Sequence, residues 1–314
     1  MHRCTDCRIV GAVLSALLAA VALTDGEGDQ AFAGPASKLP SIYDKKADGD
    51  KQIADALAIA KRDNKRVLLQ FGADWCIWCH KLHDLFETDP LVGKRLESEY
   101  VLVLIDIDEV DGKKHNADVD LRYGRPTKNG LPTLVVLDAD GKQLTTQPTE
   151  PWEIGDRHNP FKVLAFLKKW QAERVSAQAI LSTGLSRAKA ETKNVFVYFT
   201  APWCTWCGKL DTFVHSGETA ELLRGAYVPV KVDIERTTGG KELAVKYGWD
   251  AETGVPFFVI ADANGRKLVD SKGENGNVGF PAEPQEIAHF KDVITMTAPG
   301  LTAGQVATLV GTFE

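Results

Sequence analysis

Two stretches of this chain are near copies of each other, FGADWCIWCHKL at 71–82 and FTAPWCTWCGKL at 199–210. The likeness continues downstream in the same order. Asp106-Ile107-Asp108 answers Asp233-Ile234-Glu235, Tyr123-Gly124 answers Tyr247-Gly248, Leu131-Pro132 answers Val255-Pro256, and DADGK at 138–142 answers DANGR at 262–266. At 314 residues the chain has room for two domains of ordinary size, each with its own core, so the repeat reads as a domain present twice. Hydrophobic residues make up 44% and charged residues 25%, which is ordinary for globular domains. A net charge of −6, with both signs interspersed, argues against a dedicated nucleic-acid surface.

Each copy carries the same series of element signals. A helical pattern (Ile53 to Arg62; Ala177 to Ala190) leads into an apolar run of strand length (Val67 to Phe71; Val195 to Phe199). Next, CxxC opens an amphipathic helix. A second apolar run follows (Tyr100 to Ile107; Tyr227 to Ile234), then a short helical stretch, then a run begun by proline, PTLVVLD or PFFVIAD, that turns at Asp-Gly or Asn-Gly into a further strand. A closing helix ends each unit. Strands alternating with helices predict an α/β fold with a mixed sheet whose last two strands form an antiparallel hairpin. The expected units are 47–172 and 173–314, meeting near Gln171 to Ser176.

The first 33 residues have a secretory layout: Arg3 and Arg8, an apolar run from Ile9 to Leu23, and Ala31-Phe32-Ala33 as a cleavage pattern, followed by a linker over 34–46. The apolar run is shorter than the roughly 20 residues of a membrane span, which favours removal over an uncleaved anchor. The expected mature protein is periplasmic or secreted, without stable membrane insertion. Of six cysteines, Cys4 and Cys7 fall in this leader, leaving two close pairs. Cysteines three apart enclose almost no chain and contribute little loop-closure stability, so these pairs read as chemistry rather than as staples.

Cys76-Ile77-Trp78-Cys79 and Cys204-Thr205-Trp206-Cys207 each stand where a strand gives way to a helix. There the first cysteine meets unpaired amides and the positive end of the helix dipole, which favours thiolate, the species that attacks disulfides. Cys76 and Cys204 are therefore the candidate nucleophiles. Cys79 and Cys207, nearly one turn on, are placed to resolve the mixed disulfide that the first cysteine forms.

These residues resemble the thioredoxin superfamily, in which W-C-x-x-C follows a strand and an apolar-Pro signal precedes a later one. The resemblance implies two three-layer α/β/α sandwiches with mixed central sheets. It also implies cis prolines at Pro132 and Pro256 beside the active sites, their preceding backbone receiving the substrate chain, although a proline that only starts a strand is the plainer alternative. The first unit, over roughly 67–145, further resembles the C-terminal domain of the thiol:disulfide interchange protein DsbD, sharing ADWC, TDPLVGKRL and GLPT. That implies electron transfer or substrate reduction in the cell envelope, with cysteine-containing proteins as substrates, a redox partner protein there, and no metal or organic cofactor.

The chain departs from the family in instructive ways. The buried Asp that members carry six residues before the first cysteine is replaced by Gln70 and Tyr198, neither of which is a carboxylate base. The lysine that partners that Asp is kept as Lys231 but replaced by Leu104 in the first unit. Asp74 is either a proton relay or a solvated helix cap. No histidine stands inside either motif, which removes one cause of a strongly oxidising potential and leans the reading towards reductase or isomerase. Trp75, Trp78, Trp203 and Trp206 offer an apolar rim for substrate, with Trp75 and Trp203 expected in the core and Trp78 and Trp206 at the surface.

Three rival readings stay open. Cys76-Ile77-Trp78-Cys79-His80 fits the C-x-x-C-H pattern of covalent haem. Cys76, Cys79, His80 and His83 offer ligands for zinc or copper, the plainer reading being two half-exposed histidines. A non-catalytic interaction module is the third. The second copy, with Gly208 and Asp211 in place of the histidines, speaks against the first two, and two intact CxxC pairs speak against the last. The segments TTQPTEPWEIGDRHNP and SKGENGNVGFPAEPQ read as loops that either vary freely or shape what docks at the site.

Overall fold

The computed structural model describes residues 39–110 and 112–313. The expected leader, with Cys4 and Cys7, lies outside the described residues.

Asp48 starts the first helix, α1 (Gly49–Asp63), by accepting from the amides of Asp50 and Lys51, and Asn64 ends it in the left-handed region at φ 49°. The chain then enters β1 (Arg66–Gly72). A single helix was expected after the first CxxC, but there are two, α2 (Ile77–Thr88) and α3 (Pro90–Glu99). The break falls at Asp89-Pro90 because Asp89 caps the amides of Leu91 and Val92 while Pro90 has no amide to offer α2. Next come β2 (Tyr100–Asp106), α4 (Ala117–Arg122), β3 (Thr133–Leu137), β4 (Gln143–Pro148) and α5 (Pro160–Trp170).

The second half repeats the order as α6 (Ala177–Glu191), β5 (Asn194–Thr200), α7 (Thr205–His215), α8 (Gly217–Ala226), β6 (Tyr227–Asp233), α9 (Gly240–Lys246), β7 (Phe257–Ala261), β8 (Lys267–Asp270) and α10 (Pro284–Thr297). It then adds α11 (Ala303–Val310), which has no counterpart in the first half.

The sheets run β2-β1-β3-β4 and β6-β5-β7-β8. In each, the first pair is parallel and the other two antiparallel, a mixed sheet that ends in the expected hairpin. The central strands are buried on both faces, which is why they read as continuous apolar runs rather than alternating ones. Val67, Leu69 and Phe71 pack under α1 and α4 with Ile53, Ala56 and Val119, while Leu68 packs with Leu82, Phe86, Val163 and Leu167 of α2 and α5. In the second half the corresponding face is aromatic: Phe196 stacks on Phe258 at 5.1 Å, and Phe258 meets Phe290 edge-on at 5.7 Å. Each fully buried Leu or Phe here contributes about 1.5–3 kcal/mol of transfer free energy.

The halves are tied through Glu99, which is 1% exposed. It takes Arg95 (3.3 Å) and Arg174 (2.9 Å) on one oxygen and Arg236 of the second half (3.1 Å) on the other. Arg236 also donates to the carbonyls of Asp63 (2.9 Å) and Asn64 (2.7 Å), capping the orphan carbonyls at the end of α1.

Candidate active sites

Strand β1 carries Phe71 and Gly72 straight to Ala73–Trp75, and Cys76 is the N-cap of α2. Its Sγ receives the Cys79 amide at 3.1 Å, and the two cysteines form a disulfide with their Cα atoms 5.2 Å apart. The second half reproduces this at the start of α7: Cys204 is the N-cap, the Cys207 amide lies 3.1 Å from its Sγ, and the disulfide again spans 5.2 Å. In both pairs the second cysteine is buried against the sheet and the first sits at the helix start. Leu131–Pro132 and Val255–Pro256 are cis peptide bonds. Leu131 packs on the Cys76/Cys79 pair, and the Val255 carbonyl oxygen lies 3.3 Å from Cys204 Sγ.

The tryptophans are arranged otherwise than expected. Trp75 and Trp203 are not core residues; they are 64% and 55% exposed. Each is tethered by its indole N–H to an acid following the second strand, Trp75 to Asp108 at 3.0 Å and Trp203 to Glu235 at 2.7 Å. An indole whose polar edge finds a carboxylate at the rim has no reason to enter the core. Trp78 is half-buried rather than exposed, whereas Trp206 is exposed as expected. Lys81 lies over the Trp78 ring at 4.3 Å and Lys209 over Trp206 at 4.0 Å.

The two segments read as loops carry structure of their own. The first continues β4, makes a short hairpin (Glu153–Ile154 with Arg157–His158), and sets His158 edge-on to Trp78 at 5.1 Å, with Nε2 3.2 Å from the Trp78 carbonyl. Burial pushes the His158 imidazole below its usual range. The second forms the hairpin Lys272–Gly273 with Gly276–Asn277 and brings Phe280 to 6.0 Å from Trp206. Each segment therefore packs against the tryptophan inside the CxxC of its own half.

Behind the disulfides the two halves diverge. In the first, Gln70 is fully buried and donates to the Tyr43 hydroxyl at 2.9 Å and, more distantly, to the Cys79 carbonyl at 3.4 Å. Tyr43 packs against Cys79 so closely that a Cβ on Gly72 would overlap both the Tyr43 hydroxyl and the Cys79 sulfur. Burial pushes the Tyr43 phenol far above its usual range, so it stays protonated. Asp74 is not the helix cap, a place taken by Cys76. Its carboxylate receives Ser41 Oγ (2.7 Å) and the amides of Ile42 (3.0 Å) and Tyr43 (3.1 Å), and so pins the segment that delivers Tyr43. Burial raises the Asp74 carboxyl, but those hydrogen bonds outweigh it and hold the group below its usual range.

His80 is buried rather than half-exposed, with Nε2 2.8 Å from the Asp74 carbonyl, while His83 pairs with Glu87 at 3.2 Å. Among the described residues no group of three His, Cys, Asp or Glu side chains is arranged to hold a metal ion.

In the second half Tyr198 donates to Asp211 at 3.0 Å and meets His215 at 2.8 Å, and Lys231 pairs with both Asp211 (3.0 Å) and Asp63 (2.9 Å). Asp211 has one legible signal in the sequence, its place one helical turn after Cys207. Tyr43 and Asp63 have none.

A thioredoxin-like family model matches residues 49–139 and again 176–263, together more than half of the chain. The chain belongs to the thioredoxin-like family. This thioredoxin-like chain is 33% identical over 106 residues to the disulfide bond reductase DsbH of Chlamydia pneumoniae, covering 31% of the chain and 61% of that protein. It is 24% identical over 264 residues to protein disulfide-isomerase 1 of Dictyostelium discoideum, covering 80% and 61%. It is 30% identical over 95 residues to the thiol:disulfide interchange protein DsbD of Vibrio vulnificus (strain CMCP6), covering 30% and 15%. The matches thus span about three-fifths or less of these relatives' own length. Among the described residues no helix is long and apolar enough to cross a membrane.

Proposed function

We propose that this chain is an exported thiol-disulfide oxidoreductase, a protein disulfide reductase or isomerase, working by mixed disulfides at two sites in units 47–172 and 173–314. The observation that carries the reading is the doubled arrangement itself: each CxxC disulfide begins a helix, with its first sulfur at the orphan amides and the loop that precedes Pro132 or Pro256 beside it. A buried structural bridge needs neither. Names such as disulfide bond reductase and protein disulfide-isomerase among the relatives support the same chemistry.

In the reducing direction the Cys76 or Cys204 thiolate attacks a substrate disulfide. One sulfur–sulfur bond breaks, a mixed disulfide forms, and a substrate thiolate leaves. Cys79 or Cys207 then gives up its proton, attacks the first cysteine, closes the CxxC disulfide and frees the second substrate sulfur. The backbone before Pro132 and Pro256 receives the substrate chain, and Trp75, Trp78, Trp203 and Trp206 supply the apolar rim. Substrates are cysteine-containing proteins, and a redox partner in the cell envelope re-reduces the pairs.

The test is to trap the intermediate. Cys79→Ser and Cys207→Ser proteins, reduced and mixed with a disulfide-bonded peptide, should each accumulate a covalent adduct on Cys76 or Cys204, detected by mass and reversed by dithiothreitol. Absence of adduct at both cysteines would contradict the mechanism.

A further inference from the structure

The two redox pairs share a front and differ behind. Cys79 backs onto the neutral Tyr43 and Gln70, sealed in by residues 41–43. Cys207 opens instead onto a cavity of about 390 Å³, large enough for water, that is walled by both halves of the chain. Asp211 of α7 lines it one turn below Cys207. From the first half, the end of α1 sends in Arg62 and Asp63. Arg62 reaches Asp211 Oδ2 at 2.8 Å and Asp63 Oδ2 at 3.0 Å, while Lys231 of β6 bridges the Oδ1 atoms of the same two carboxylates at 3.0 and 2.9 Å. Tyr198 of β5 donates to Asp211 at 3.0 Å, and His215, a turn further along α7, faces Tyr198 at 2.8 Å. Arg236 and Asp233 line the same cavity.

We propose that the second redox site is built by both halves: Asp211 takes the proton that Cys207 must lose, and Asp63 and Arg62 of the first half are positioning residues that hold Asp211 and Lys231 for that transfer. The inference rests on the oxidoreductase reading and deepens it. In the step, the Cys207 thiol passes its proton to the Asp211 carboxylate across the cavity. The resulting thiolate attacks Cys204 in the Cys204–substrate disulfide. The Cys204–Cys207 bond forms, the Cys204–substrate bond breaks, and the substrate sulfur departs with the electron pair as a thiolate.

The neighbours divide the roles. Burial raises the Asp63 carboxyl, but Arg62 and Lys231 win and hold it at about 2, so it stays an anion that anchors rather than accepts. Burial raises the Tyr198 phenol well above its usual range, which keeps it a donor to Asp211, and burial lowers His215.

The resolving step can be read alone. Full-length protein carrying Cys4→Ser, Cys7→Ser, Cys76→Ser and Cys79→Ser, which leaves Cys204 and Cys207 as its only thiols, is reduced and mixed with the aromatic disulfide DTNB. Cys204 releases one thionitrobenzoate, and Cys207 attack on the adduct releases a second. In the Asp211→Asn protein the second phase should slow about 100-fold at neutral pH, the lower end for a lost general base. In the Asp63→Asn protein its pH midpoint should fall by about one unit, because Arg62 and Lys231 are left in excess. A first phase at the parent's rate reports that the site is folded, because an unfolded chain would lose the helix-start environment that sets the reactivity of Cys204. Should Asp211→Asn fail to fold, Lys231→Met must raise the same midpoint by about one unit. Second-phase profiles matching the parent in these variants would overturn the shared site alone. Absence of the first phase in the parent would take down the oxidoreductase reading with it.

Discussion

Removing Arg236 tests how the halves are joined. Its side chain is 7% exposed, and its fork ends on Glu99 Oε2 and on the carbonyls of Asp63 and Asn64. In an Arg236→Ala protein a carboxylate oxygen that is almost wholly buried loses its cation, and two helix-terminal carbonyls lose their donor. Breaking a buried pair from one side costs about 3–5 kcal/mol. Glu99 keeps Arg95 and Arg174 on its other oxygen, which places the loss near the lower bound, while each stranded carbonyl adds about 1 kcal/mol. A loss of about 5 kcal/mol is expected in urea unfolding of the full chain followed by tryptophan fluorescence, with the amides at the end of α1 exchanging faster. Lys51→Ala is the comparison, since Lys51 and Asp55 are 73% and 65% exposed and solvent screens that pair. If Arg236→Ala costs no more than Lys51→Ala, the junction is a surface contact and the reasoning fails.

Gly72→Ala should push Tyr43 off Cys79 and cost about 1–3 kcal/mol, the usual penalty for overpacking, measured as a lowered urea midpoint; an unchanged midpoint would mean the packing behind Cys79 is loose. Asp63 gives the acid limb of stability a definite sign. Its folded value of about 2 lies below the roughly 3.9 of an unfolded Asp, so its contribution is complete above about pH 4 and is lost as pH falls towards 2. The Asp63→Asn protein should lose less stability between those values than wild type, and equal slopes would contradict the pairing with Arg62 and Lys231.

What could be read from the sequence is what local pattern encodes. The repeated strands were visible because both faces are buried, leaving runs such as VLLQF and VFVYF, and the CxxC pairs and prolines lie next to those runs. The halving of the CxxC helix was written in Asp89-Pro90 but masked by an amphipathic pattern that continues across it. The indoles of Trp75 and Trp203 were misplaced because hydrophobic type was weighed without the acids that tether them, Asp108 and Glu235, which lie a strand away. Least visible were the groups behind the sulfurs. Tyr43 reaches Gln70 across 27 positions and Lys231 reaches Asp63 across 168, and neither separation leaves a periodic trace. Gln70 and Tyr198 did signal that something other than a strand carboxylate must serve the second cysteine. They could not signal that the surroundings of the two cysteines differ, with Tyr43 and Gln70 behind Cys79 and a cavity lined by Asp211, Lys231, Arg62 and Asp63 behind Cys207.

The most direct test of the account is dithiothreitol-dependent reduction of insulin by wild type, Cys76→Ser, Cys204→Ser and the double variant. The account predicts activity that falls in each single variant and disappears in the double. An inactive wild type, or a double variant as active as wild type, would contradict it.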